Sequence, residues 1–308
     1  MARARLVGMD QHTPLHGIFV PLVTPFAADG TVARQALEAL AHSVLDGGAA
    51  GLAALGTTAE AAALDAAERR TVVQVAAAVC RERGAALLVG VGGSDTRSCG
   101  EALLALGKDT PQAAAAMVTV PAFSRPGEAG VIAHFRRLAE LSPVPLVIYH
   151  IPYRTGQPLS AAALLELAAV PGVAGVKYAV GGIDQDTVEL LGAAPEGFAV
   201  LAGDDVFLSP LLALGAAGGI LASAHLATGR FVELAVAWQA GDTARARPLG
   251  HTLAALARAC FTAPNPAVVK GVLHAQGRIP TPDVRLPLLP AAPAEVAAAL
   301  AVLERLAP

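Results

Sequence analysis

Residues 145–179 read PLVIYHIPYRTGQPLSAAALLELAAVPGVAGVKYA and hold one complete strand–helix–strand pattern. Two continuous apolar runs, residues 145–151 and 173–179, flank a helical segment over residues 160–170 that begins with a serine. A continuous apolar run is typical of a strand that is buried on both faces of a parallel sheet. The stretch therefore predicts a parallel β–α–β unit whose second strand carries a lysine, Lys177, in its middle.

The same pattern recurs along most of the chain. Helical segments such as residues 33–45, 65–83 and 129–141 separate the apolar runs, and Asp65 with Glu68 three residues later indicates a capping box. The eight apolar runs are residues 17–23, 50–55, 86–91, 114–120, 145–151, 173–179, 198–203 and 218–223. Eight strand–helix units are the number in a (β/α)8 TIM barrel, whereas a doubly wound open sheet, the alternative, usually has fewer strands.

The strand pattern stops after residue 241. Helical segments remain around residues 242–260, 265–277 and 293–306, and proline-rich connections separate them. We therefore predict an α/β fold with three parts, in which the C-terminal part packs on the barrel. These parts are an N-terminal extension (residues 1–14), a (β/α)8 barrel that carries the active site (15–241) and a C-terminal helical domain (242–308).

Composition excludes several classes of protein. The chain has 308 residues, of which 54% are apolar and 15% charged, and its net charge of −3 gives no basic patch for nucleic acid. Cys80, Cys99 and Cys260 form no disulfide framework and no zinc pattern, so a reducing cytoplasm is expected. The apolar stretch near the start is too short for a signal peptide. Proline, glycine and polar residues interrupt the uncharged span 206–229, which argues against a membrane helix.

Lys177 interrupts an otherwise apolar strand. Its neighbours Val173, Val176 and Val180 indicate burial, and burial of an unpaired ammonium is costly. Desolvation favours the neutral amine, which can attack a ketone and form a Schiff base. The alternative is a solvated lysine at a frayed strand end.

The other two lysines are predicted to have no part in the chemistry. Lys270 lies in a C-terminal helix and is expected to be structural, and Lys108 is expected in a solvated loop.

Catalytic groups of a barrel lie at the carboxyl ends of its strands. Tyr149 ends one predicted strand, where a phenol can pass protons, although core packing is the common role of such a tyrosine. Thr57 and Thr58 follow another strand and either cap its turn or bind a carboxylate. Arg154 is either a solvated charge or a carboxylate ligand. By alternation, His150 points to the opposite face from Tyr149 and is expected to pack in the core.

Four segments, taken in order and spacing, resemble a known family. GTTAE (56–60), YHIPYRTG (149–156), GVKYA (175–179) and AGDD (202–205) are similar to motifs of the dihydrodipicolinate synthase / N-acetylneuraminate lyase family of class I, Schiff-base-forming aldolases. The resemblance covers nearly the whole chain. It implies a (β/α)8 barrel with a C-terminal helical domain, a homotetramer built as a dimer of dimers, and no cofactor or metal. It also implies a pyruvate-like 2-oxo acid and an aldehyde as substrates.

The resemblance also assigns catalytic roles. Lys177 matches the lysine that forms the imine, Tyr149 matches the proton-relay tyrosine, and Thr57 matches the hydroxyl that links this relay.

The substrate-binding roles follow in the same way. Thr58 matches the ligand of the pyruvate carboxylate, Arg154 matches the ligand of the second substrate's carboxylate, and Ile220 matches a backbone carbonyl near the imine.

Departures from the family pattern matter equally. Ala59 replaces a glycine and is expected to shift its turn. Phe123 replaces a tyrosine that, in the synthases, reaches into the neighbouring subunit's site, so that relay lacks a hydroxyl here. The positions that bind feedback lysine in sensitive members are changed too, and no inhibition by lysine is expected. They hold Ala61, Ala66, Arg69 and Ala122.

These residues predict a cytoplasmic Schiff-base lyase similar to dihydrodipicolinate synthase. An aldolase or dehydratase of 2-keto-3-deoxy sugar acids is the alternative within the family. A relative that binds a 2-oxo acid without catalysis is the second alternative.

Overall fold

A computed structural model describes residues 15–93 and 95–306. The N-terminal extension predicted over residues 1–14 lies outside the described residues, and so does the expectation that it holds no signal peptide. Eight parallel strands close into a barrel, and each pairs with the next strand along the chain. The strands are β1 (Gly17–Pro21), β2 (Gly51–Ala54), β3 (Ala86–Val91), β4 (Ala115–Thr119), β5 (Leu146–His150), β6 (Val173–Tyr178), β7 (Ala199–Ala202) and β8 (Gly218–Ile220). β8 pairs with β1 and closes the barrel. The predicted (β/α)8 fold is confirmed.

Helices follow the strands and continue beyond the barrel. They are α1 (Arg34–Asp46), α2 (Ala66–Arg83), α3 (Thr96–Asp109), α4 (Gly127–Leu141), α5 (Pro152–Thr155), α6 (Ala161–Ala168), α7 (Gln185–Ala193), α8 (Leu208–Ala213), α9 (Ala224–Gln239), α10 (Thr243–Cys260), α11 (Ala267–Ala275) and α12 (Pro293–Glu304). Asp65 caps α2 in a capping box with Glu68, and Ser160 caps α6, as the sequence predicts. Lys108 is exposed as predicted, but it lies in the last turn of α3 and not in a loop, because Asp95 caps a helix that extends to Asp109.

Alternation along the strands divides the core into two layers. Outward side chains such as Val176 and Tyr178 pack in the layer between the strands and the helices, whereas inward ones such as Phe19, Met117 and Leu201 fill the barrel. His150 is buried beside Tyr178, with ring centroids 5.9 Å apart, so the prediction that it packs in the core is confirmed. Lys177 lies between Val176 and Tyr178 and therefore points inward.

One glycine leaves room for the Lys177 side chain. A Cβ atom at Gly203, directly after β7, would lie 2.9 Å from Cγ of Lys177 and 3.2 Å from its Cε. A side chain at this position would push the lysine stem aside.

The C-terminal helices pack on one side of the barrel. α10 contacts α8 and α9, α11 contacts α9, and α12 contacts α10 and α11. The span 206–229 folds into part of a 3-10 turn, α8, β8 and the start of α9. In the part of the chain that the structure describes, no helix is both long and apolar enough to span a bilayer. Cys80, Cys99 and Cys260 are buried and free.

Candidate active site

Lys177 lies near the carboxyl end of β6, and its residue is only 4% exposed. In the barrel register it pairs with Tyr149 on β5, and its Nζ lies 4.3 Å from the centroid of the Tyr149 ring. Nζ makes no hydrogen bond or ion pair with any described residue. Lys177 is therefore a buried strand residue, as the sequence predicts, and its amine has no partner in the described chain.

A cavity of about 500 Å³ opens at the carboxyl ends of β2 to β5. Of the predicted site residues, Thr57, Tyr149 and Arg154 line it, whereas Lys177, Thr58 and Ile220 do not. Because the Tyr149 ring lies beside Nζ of Lys177, the phenol connects the cavity with the amine. The structure therefore brings Tyr149 to both the amine and the opening, and its role in proton transfer stays a prediction.

The turn after β2 carries both candidate threonines. Thr57 is exposed to the cavity, and its hydroxyl contacts no described partner. Thr58 is buried, and its Oγ1 accepts a hydrogen bond from Nδ2 of Asn265 at 2.9 Å. Ala59 does not adopt a left-handed backbone, and Glu60 takes that conformation instead, with φ of 54°. The turn therefore accommodates Ala59 without a positive φ at that residue.

Glu60 anchors this turn to the C-terminal helices. Its Oε1 lies 2.8 Å from Nζ of Lys270 in an ion pair whose side chains are 1% and 0% exposed. Its Oε2 accepts a hydrogen bond of 2.7 Å from the backbone N–H of Arg285. The structural role predicted for Lys270 is consistent with this buried ion pair and stays a prediction. Its partner is missed by sequence reasoning, because Glu60 lies 210 residues away.

Arg285 lines the cavity, but its guanidinium is occupied. It donates to both carboxylate oxygens of Glu68, at 2.6 and 2.5 Å, and to the carbonyl oxygens of Ala63 and Gly30. The hydrogen bonds from Arg285 lower the pKa of Glu68 to about 2. The positive charge of Arg285 is therefore neutralised by Glu68.

Arg154 differs from Arg285 in this respect. Its side chain is exposed at the cavity wall and has no hydrogen bond or ion pair among residues 15–93 and 95–306. The neighbouring Tyr153 donates from its hydroxyl to Asp204 at 3.0 Å, which ties the short helix α5 to the segment after β7. An unpaired guanidinium on a helix braced in this way is suited to an anionic ligand.

Asp205, in the 3-10 turn that follows β7, is a buried carboxyl. Asp205 accepts hydrogen bonds from the backbone N–H and the hydroxyl of Ser223, at 2.7 and 2.5 Å. Burial raises the pKa of Asp205, while these hydrogen bonds and the charge of Lys177 oppose that shift. Ile220, at the end of β8, points into the barrel and is 1% exposed. The role predicted for its backbone carbonyl stays a prediction.

Phe123 lies in the loop between β4 and α4 and does not line the cavity of its own chain. Its side chain is 98% exposed, and its backbone adopts the left-handed region with φ of 64°. This conformation is unfavourable for a bulky residue, so the loop holds the ring outward at a cost.

Among the described residues, no group of three or more His, Cys, Asp or Glu side chains is placed to hold a metal ion. The groups that the cavity offers are hydroxyls, a phenol and a guanidinium, with the Lys177 amine beside the phenol. Side chains of these types, at the carboxyl ends of barrel strands, can transfer protons and form covalent bonds to a substrate.

Comparison with known proteins identifies the family. The model of the Dihydrodipicolinate synthetase family matches residues 14–305. A 4-hydroxy-tetrahydrodipicolinate synthase of Synechococcus elongatus is 36% identical over 300 residues, which cover 95% of this chain and 96% of that protein. The chain belongs to this family, and it is a lyase of the class I aldolase type.

Solved structures agree with this assignment. A chloride-inhibited dihydrodipicolinate synthase of Acinetobacter baumannii in complex with pyruvate is 32% identical, with a TM-score of 0.88 over 94% of this chain and 98% of that one. A monomeric dihydrodipicolinate synthase variant is 27% identical, with a TM-score of 0.90 over 96% of this chain and 98% of that one.

Proposed function

We propose that this chain is a Schiff-base-forming lyase of the dihydrodipicolinate synthase type that acts on pyruvate or a related 2-oxo acid. The observation that carries the proposal is the position of Lys177: a buried amine without an acceptor, beside the phenol of Tyr149. Because no acceptor in the described chain occupies its nitrogen, this amine can meet the carbon of a ketone.

The reaction begins with addition of Nζ of Lys177 to the ketone carbon; one proton then moves from the nitrogen to the former ketone oxygen, which gives a carbinolamine. Loss of its hydroxyl as water, with a proton supplied by Tyr149, leaves a protonated imine. Removal of a proton from the adjacent carbon gives an enamine, which forms a carbon–carbon bond with an aldehyde. Hydrolysis then frees the product and restores the amine. Thr57, on the wall that Tyr149 also lines, is the proposed link in proton transfer.

The turn after β2 is the proposed site for the carboxylate of the 2-oxo acid. Since Oγ1 of Thr58 accepts from Asn265, its own hydrogen is free to be donated, and no described residue accepts it. Glu60, which would repel an anion there, has both oxygens engaged by Lys270 and by the N–H of Arg285. The turn therefore offers a donor without a competing free charge.

Arg154 is the proposed ligand of a carboxylate on the second substrate. Because Arg285 is neutralised by Glu68, Arg154 supplies the unpaired positive charge of the cavity wall. This favours an aldehyde that carries a carboxylate. A 2-keto-3-deoxy sugar acid aldolase or dehydratase is the second candidate, and Phe123, which lacks a hydroxyl, favours it.

The proposed assembly is a homotetramer of cytoplasmic enzyme in which Phe123 lies near the neighbouring subunit's site. The 98% exposed ring on a left-handed backbone supports a contact outside its own chain. Light scattering measures the mass of the assembly in solution. A monomer at working concentration would overturn this part of the proposal.

Borohydride trapping tests the chemistry. The protein is incubated with pyruvate and sodium borohydride, and intact mass and peptide mapping locate the reduced adduct. We expect one adduct per chain on Lys177 and none on Lys108 or Lys270. Absence of an adduct on Lys177 would overturn the proposal and favour a binding protein without catalysis.

A second assay separates the two enzyme candidates. Condensation of pyruvate with aspartate semialdehyde is compared with cleavage of a panel of 2-keto-3-deoxy sugar acids. We expect the condensation to be the faster reaction and to be insensitive to added lysine. Faster cleavage of a sugar acid would assign the chain to the second candidate.

A further inference from the structure

Thr119, the last residue of β4, places an additional hydroxyl in the cavity. It is the register partner of Tyr149, which is in turn the register partner of Lys177. Register partners in a parallel sheet point to the same face, so the three side chains point inward from consecutive strands. Thr119 and Tyr149 line the same cavity.

The environment of Thr119 leaves its hydroxyl available. The preceding inward residues of β4, Ala115 and Met117, are apolar and buried, whereas Thr119 is exposed to the cavity. Its Oγ1 makes no hydrogen bond to any residue that the structure describes. A β-branched residue at a strand end can serve strand formation alone. That role does not require a hydroxyl at the level of Tyr149.

The proposed chemistry needs such a group. After Tyr149 has given its proton to the departing hydroxide, its phenolate must be protonated again from water. Phe123 has no hydroxyl for this step. The other two phenols of the chain are engaged elsewhere, Tyr178 with Thr187 on the outer face and Tyr153 with Asp204. Among the residues that line the cavity, the hydroxyls besides Tyr149 belong to Thr57 and Thr119.

We propose that Thr119 is a proton-relay residue that serves Tyr149, a role that rests on the proposed function. Thr119 and Tyr149 line the same cavity from neighbouring strands, which lie about 4.8 Å apart, so water in the cavity can connect the hydroxyl to the phenol. The connecting water gives a proton to the phenolate and takes one from the Thr119 hydroxyl, which takes one from a further water, and the hydroxide that remains leaves through the open cavity. One O–H bond forms for each that breaks, and the threonine is unchanged at the end of the cycle.

Substitution of Thr119 tests the proposal through the rate of imine formation. Thr119→Val keeps the shape and removes the hydroxyl, and Thr119→Ser restores a hydroxyl with less bulk. We expect Thr119→Val to slow the formation of the borohydride-trapped pyruvate adduct about 10- to 100-fold. This lies at or below the lower end of the rate contributions made by general acid–base groups, which begin at about 100-fold. We expect Thr119→Ser to recover most of this rate. The final adduct mass and the pyruvate concentration for half-maximal rate should change little.

Thr252→Val, which alters an exposed helix hydroxyl, is the matched control. A wild-type rate in Thr119→Val, or an equally slow rate in Thr119→Ser, would overturn the relay role. If Thr119→Val does not fold, Thr119→Ala replaces it in the same comparison. Failure of the wild-type protein to form any adduct would instead overturn the proposed function, so the two failures are distinguishable.

Discussion

Lys177 and Lys270 are both buried, and each places its Nζ over an aromatic ring. The distance to the ring centroid is 4.3 Å for Lys177 over Tyr149 and 4.1 Å for Lys270 over Phe26. They differ in their acceptors. Lys270 lies 2.8 Å from a carboxylate oxygen of Glu60, whereas Lys177 has no hydrogen-bond acceptor in the described chain.

The difference separates a structural lysine from one that is free to react. Burial lowers the pKa of Lys270, while the charge of Glu60 and its hydrogen bond oppose that shift. The carboxylate also occupies the nitrogen and fixes its position. A buried ammonium that has lost its partner is strongly destabilising, whereas an amine with open space beside it is available to a ketone. The acceptor, and not the burial, distinguishes the two lysines.

Replacement of Lys177 by methionine should have the largest effect. We expect turnover to fall at least about 10³-fold, because no other amine replaces the covalent step. The adduct with pyruvate should also disappear, while thermal unfolding changes little since methionine fills the buried stem. The measurements are intact mass after borohydride treatment, steady-state rate and calorimetry. Turnover near the wild-type rate would show that Lys177 is not the nucleophile.

Lys270→Met should affect stability and leave the covalent step in place. It leaves the carboxylate of Glu60 buried without its ion-pair partner, which should lower the free energy of unfolding by about 3–5 kcal/mol. The surviving folded protein should still form an adduct on Lys177. Denaturant unfolding and peptide mapping check these two results.

The matched control for Lys270→Met is Arg137→Ala, which removes the exposed Arg137–Glu140 pair. It should cost less than about 1 kcal/mol. Equal costs for the buried and the exposed pair would contradict the role given to Lys270.

Acid should destabilise the fold through two buried histidines, His150 and His225, that form no ion pair with any described residue. Burial lowers the pKa of His150 and of His225 to about 4, and Nε2 of His225 accepts a hydrogen bond from Val23. Between about pH 6.5 and 4 the unfolded chain binds more protons than the folded one, so stability is lost as pH falls. The slope should reach about 1.4 kcal/mol per pH unit for each histidine. Urea unfolding from pH 7 to 4 measures it, and a flat profile would contradict it.

Glu60→Gln should change stability in a way that depends on pH. Without the carboxylate, burial alone keeps the pKa of Lys270 below that of an unfolded lysine, about 10.4. Between the pKa of Lys270 in the folded variant and that of a lysine in the unfolded chain, the unfolded chain binds more protons. Stability therefore rises with pH in this range. We expect the cost of the substitution to shrink as the pH rises from 7 to 9. A cost that is constant across this range would show that Lys270 stays charged.

Much of the barrel was accessible from sequence because its strands are apolar on both faces and its helices carry local caps such as Asp65 and Ser160. The position of Lys177 followed from strand alternation. The sequence did not reveal the ion pair between Glu60 and Lys270 or the hydrogen bond between Thr58 and Asn265. The partners in these two contacts are separated by 210 and 207 residues along the chain. Thr119 was missed because a threonine at a strand end is common for reasons of backbone preference alone.

The cavity is completed by residues from the last sixth of the chain, among them Asn265, Arg285 and Leu288. During synthesis the ribosome delivers all eight strands well before these residues emerge. A nascent barrel would therefore contain Lys177 but lack Lys270, whose ammonium pairs with Glu60. Its cavity would also lack part of its lining. Catalytic competence should arrive only after residues 264–288 have folded against the barrel, and a polypeptide truncated before residue 264 should remain inert however well its strands assemble.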